Sequence, residues 1–76
     1  MQTGNVLIVD EMFQDAPTAV GRKEIAQRTG GAISEKTLAN LDSLKEGIPG
    51  RFYIGRKVLY PTPNVIEWIK RRTTSN

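Results

Sequence analysis

The chain has 76 residues, a net charge of +3, and neither cysteine nor histidine. Such a length makes one domain with a modest core. The missing residue types exclude disulfides, thiolate or imidazole metal sites, and any Ser/His or Cys/His nucleophile pair.

Residues 1–20 carry Asp10, Glu11 and Asp15 and no Lys or Arg, a charge of −3; residues 21–76 hold all eleven basic side chains against five acidic ones, a charge of +6. The cationic body is suited to attracting polyanions. Val6-Leu7-Ile8-Val9 is the longest apolar run, far too short to span a bilayer, and no basic residue precedes it as in a signal peptide. The expectation is a cytoplasmic protein with no membrane partner. With Met12 and Phe13 the run fits a helical face as well as a strand, and the pattern leaves both open. Asp10-Glu11 reads as a solvated edge, and Pro17 disfavours a helix crossing it. Thr18 to Gly21 reads as a short extended lead.

The first clear helix spans about Arg22 to Thr29, with Ile25 and Ala26 apolar. Gly30 or Gly31 ends it in the left-handed conformation. A second helix starts at Ser34, whose hydroxyl accepts from the amide of Thr37, with Glu35 at the positive end of the dipole. Leu38, Leu41 and either Leu44 or the stem of Lys45 repeat as its core face, and Gly47 stops it. The opposite face shows Lys36, Ala39, Asn40 and Ser43. Two β-like runs follow, Arg51 to Ile54 and Lys57 to Tyr60, joined by Gly55-Arg56. A two-residue loop with Gly first fits a type II′ hairpin. Alternation suggests Phe52, Ile54, Val58 and Tyr60 on the core side, with Arg51, Tyr53, Lys57 and Leu59 opposite. The last helix takes Thr62 as N-cap and Pro63 at its first position and runs to Arg72. Val65, Ile66 and Ile69 form its apolar stripe, with Trp68 as a flanking core anchor. Lys70, Arg71 and Arg72 complement the dipole, and residues 73–76 form a disordered tail.

A helix pair on a glycine turn followed by a basic hairpin suits docking on duplex DNA. In a helix-turn-helix the second helix lies in the major groove, its first residues on base edges. Lys36 can donate to guanine and Asn40 can pair with adenine, while Ser34, Thr37 and Ser43 lie alongside. Arg56 and Lys57 at the hairpin tip, with Arg51 at its base, match a wing reaching the phosphate backbone or the minor groove. Arg22 and Lys23 at the start of the first helix complete the set. No catalytic group, metal, cofactor or small-molecule substrate is indicated. The glycines fit no phosphate-loop spacing.

Residues 21–72 also resemble the winged helix-turn-helix of phage and plasmid excisionases and AlpA-type regulators, distant relatives of the MerR-type DNA-binding domain. The resemblance rests on Glu24-Ile25-Ala26 with Thr29-Gly30, Ser34 with Thr37-Leu38, and Gly47-Ile48-Pro49. It continues through Tyr53 to Tyr60 and Val65-Ile66-Glu67-Trp68-Ile69, and the Ile54 to Tyr60 block with a later Trp is its most specific part. Phage terminase small subunits show a similar ending. The turn Gly30 to Ile33 is longer than usual for the family. Glu35 and Ala39 stand where its members often carry basic or aromatic residues.

The resemblance implies a small α+β winged helix-turn-helix, non-catalytic, acting in DNA recombination as a directionality factor or in transcription regulation. Its partners are then double-stranded DNA, an integrase, or another copy of itself on DNA. The alternative is a protein-interaction module on the same fold, such as an integrase adaptor or a terminase small-subunit-like protein.

Overall fold

The computed structural model describes residues 8–73. Among these residues there are four helical segments and a three-stranded antiparallel sheet, an α+β architecture. In chain order they are α1 (residues 8–12), β1 (Ala19–Gly21), α2 (Arg22–Arg28), α3 (Glu35–Ser43), β2 (Phe52–Ile54), β3 (Lys57–Pro61) and α4 (Thr62–Arg72). The sheet order is β1-β3-β2, so β3 is central and β2 is an edge.

Of the two readings open for the acidic segment, the described part is helical; Val6 and Leu7 lie outside the described residues. Val9 and Phe13 are four residues apart, share one side of the turn, and are both buried. Arg28 fastens this segment to α2: its Nη1 donates to the Met12 carbonyl at 2.9 Å, and its guanidinium lies 5.9 Å from the Phe13 ring centre. Asp10 pairs with Lys70 of α4 at 2.9 Å. The core that this segment caps gathers Val20, Ile25, Leu38, Ile48, Val58, Tyr60, Val65 and Ile69.

Two helix ends are closed by the same device. After α2, the Gly31 amide donates to the Ala26 carbonyl and the Gly30 amide to Gln27, with both glycines at positive φ. After α3, the Glu46 amide reaches Leu41 and the Lys45 amide reaches Asp42, and here Lys45 takes the left-handed position at φ 62°. The stop is therefore Lys45 and not Gly47. It comes early enough that Leu44 and Lys45 are exposed instead of extending the core face, which ends at half-buried Leu41. Ser34 caps α3 as expected, its Oγ accepting from the Thr37 amide at 3.1 Å.

The hairpin turns on Gly55-Arg56, with Ile54 opposite Lys57 and a positive φ at Gly55 only, as a II′ turn requires. The expected grouping of side chains fails. Antiparallel partners share a face, and the register pairs Phe52 with Leu59 and Tyr53 with Val58. Val58 and Tyr60 face the core, while Phe52 and Ile54 fall on the outer face and are exposed. An even loop of two residues dictates this: residues equidistant from the turn centre share a face, so 54 goes with 57 and not with 58.

Pro61 occupies the N-cap position of α4, and Thr62 lies inside the helix. The Thr62 hydroxyl donates to the Pro17 carbonyl and its amide to Thr18, which stitches the helix start to the chain ahead of β1. Val65 and Ile69 are buried, but Trp68 is only partly so: it packs at the core's margin with the Arg72 guanidinium 4.1 Å from its ring centre. Thr73 still bonds to Ile69 and Lys70; the rest of the expected tail lies outside the described residues.

Candidate nucleic-acid interface

At 3.6 residues per turn, Lys36, Asn40 and Ser43 fall on one line along α3, opposite Leu38 and Asp42. The packing follows that geometry: Leu38 and Asp42 are buried, and Lys36, Asn40 and Ser43 are exposed. Thr37 lies beside this stripe and is also exposed, but its hydroxyl accepts a bond from Ser34 at 3.0 Å. Ser34 is thus occupied in capping, and its oxygen is less available to a ligand than its position alone suggested.

The hairpin tip sits beside the starts of α2 and α3. Arg22, Lys23, Glu35, Arg56, Lys57 and Val58 line one open groove of about 290 Å³. Lys57 reaches across the sheet, since a Cβ placed on Gly21 would lie 3.6 Å from its Cε. Among the described residues, no ion pair engages Lys23, Lys36, Arg56 or Lys57. Four exposed cations on neighbouring elements make a positive surface suited to phosphate. Glu35 is the acidic side chain within it, at the N-terminal end of α3.

Arg22 lines this groove, but its guanidinium is engaged within the fold. Its Nη2 donates to Asp42 Oδ2 at 2.8 Å and its Nε to the Tyr60 hydroxyl at 3.0 Å, so the guanidinium points inward. Tyr60 in turn donates to the same Asp42 oxygen at 2.5 Å. Burial, with the bond to Asp42 second, pushes the Tyr60 hydroxyl up to about 12. Arg51 at the base of the hairpin approaches the other carboxylate oxygen at 3.8 Å, too far for a hydrogen bond, and stays partly exposed. Asp42 therefore joins α2, α3, the central strand and the hairpin base. Gly47 is needed here because a Cβ would collide with Asp42 Oδ1.

Sequence reasoning missed Asp42. Its signal is a carboxylate four residues after Leu38, on the apolar side of α3. Among the described residues, no group of three or more carboxylates is placed to hold a metal ion, and no helix is long and apolar enough to cross a membrane. No family model, curated protein or solved structure matches the chain.

Proposed function

We propose that this chain is a winged helix-turn-helix protein that binds duplex DNA without catalysis. In this reading α3 enters the major groove and the β2–β3 hairpin is the wing. The observation that carries it is the convergence of Lys23, Arg56 and Lys57 on one groove at the start of α3, beside the exposed stripe of Lys36, Asn40 and Ser43. Wing cations reach phosphate, and Lys36 and Asn40 read bases, as sorted by their chemistry. Arg51 joins the wing contacts, while Arg22 acts by anchoring α2 to α3. An excisionase-like directionality factor or a small transcription regulator of a phage or mobile element is the biological setting this supports best. Its partners would be an integrase or further copies on DNA. A protein-interaction module on the same fold is favoured by a different observation, the exposed apolar strand β2.

Amide chemical shifts on adding an arbitrary duplex at low salt separate the two. DNA binding requires the largest shifts at Lys36, Thr37, Asn40, Arg56 and Lys57. Absence of shifts at α3 and the hairpin tip would sink the DNA reading.

A further inference from the structure

Strand β2 is a sheet edge whose three residues, Phe52, Tyr53 and Ile54, are 40, 60 and 64 % exposed. Edge strands are ordinarily blunted by shortness, Lys, Pro or a bulge; this one is short at three residues, but no Lys, Pro or bulge interrupts it. Its neighbours decide which backbone groups are free. Ile54 and Lys57 close a two-residue hairpin and so exchange both ladder bonds. The N–H and C=O of Tyr53 therefore point away from β3, toward solvent.

We infer that β2 is a self-association edge, pairing antiparallel with β2 of a second copy of this chain about a twofold axis through Tyr53. The register follows from the free groups: Tyr53 meets Tyr53 of the copy and exchanges two backbone hydrogen bonds with it. Phe52 then lies across from Ile54 of the copy, and Ile54 across from Phe52. These are aromatic–β-branched pairs, which favour antiparallel pairing. Both lie on the outer face next to Leu59, so the two sheets continue as one six-stranded sheet with an apolar stripe across the junction. The same register places Arg51 opposite Gly55 and Arg56 opposite Gly50, so no two cations stand directly across from each other. A twofold interface must be self-complementary in this way. The inference does not depend on DNA binding.

So short an edge buries well under the roughly 1,200 Å² of a stable complex. The pair is accordingly weak for the free chain and populated at millimolar concentration. Chains held side by side on any scaffold would pair far more readily.

The test is a dilution series of the free protein by amide shift, with an intermolecular Hα–Hα contact sought between Phe52 and Ile54 in a mixed-label sample. Concentration-dependent shifts centred on residues 52–54, together with that contact, are expected. Tyr53→Pro removes one outward N–H, and an edge strand tolerates proline there. It should abolish the dilution shifts while leaving the melting temperature close to that of the parent. Ile54→Lys, at an exposed position, provides a second variant expected to do the same. Shifts that are absent at millimolar concentration, that centre elsewhere, or that persist in both folded variants would overturn the inference. An extended acidic peptide that protects β2, with no dilution shifts of the chain alone, would assign the edge to a different partner and equally overturn it.

Discussion

Replacing Asp42 with alanine should remove a large part of the stability of this domain. The carboxylate is 6 % exposed and accepts from both Arg22 and Tyr60. Without it, the Tyr60 hydroxyl keeps only a donor as neighbour and is buried, with its own proton unpaired, which costs about 1–3 kcal/mol. Arg22 is 26 % exposed and can turn partly to water, so the lost ion pair adds about 1 kcal/mol or less. The sum is about 1–4 kcal/mol, against roughly 5 kcal/mol for a small domain. Urea unfolding followed by Trp68 fluorescence measures it as a lowered midpoint at constant slope. A double cycle with Tyr60→Phe sharpens the test. The two losses share one interaction, so the double variant should be more stable than their sum predicts by about 0.5–3 kcal/mol. A midpoint shift worth under about 1 kcal/mol, or strict additivity, would refute the bonded network.

Gly47→Ala should cost about 1–3 kcal/mol by the same assay, because the new methyl meets a carboxylate that Arg22 and Tyr60 hold in place; an unchanged midpoint would contradict that close approach. Tyr60 releases its proton near 10 when unfolded and near 12 when folded. Folding thus favours the protonated form, so the full stability is present below pH 10 and is lost as pH rises toward 12. Tyr60→Phe should flatten that alkaline decline in a melting series. For DNA, Arg56→Ala with Lys57→Ala should weaken binding to all duplexes by a similar factor. Lys36→Ala or Asn40→Ala should cost about 1–3 kcal/mol on a preferred site and much less on random sequence, read by competition anisotropy. Sequence preference altered by the wing pair alone would reverse these roles.

What could be read in the sequence followed local rules. The Ser34 cap, the paired glycines after α2 and the Gly55 turn each depend on residues within a few positions, and each formed. Errors arose where tertiary partners decide. Thr62 is a good cap in isolation, but the Pro17 carbonyl claims its hydroxyl from far along the chain. Arg22 looks like a free cation until Asp42 and Tyr60 are folded beside it. Leu44 fits the apolar repeat of α3, yet Lys45 ends the helix before that repeat can be used. The face of Phe52 and Ile54 was in fact recoverable, since the even two-residue loop fixes it. The error there lay in extending alternation straight through the turn.

The salt dependence of duplex affinity tests the central claim most directly. With Lys23, Lys36, Arg56 and Lys57 exposed and outside any ion pair among the described residues, log K should fall linearly with log salt. The slope should be about −0.9 for each phosphate engaged, and neutralising Arg56 and Lys57 together should make it shallower by about 2. A folded protein that fails to bind duplex at low salt, or binds with an affinity indifferent to salt, would contradict the account.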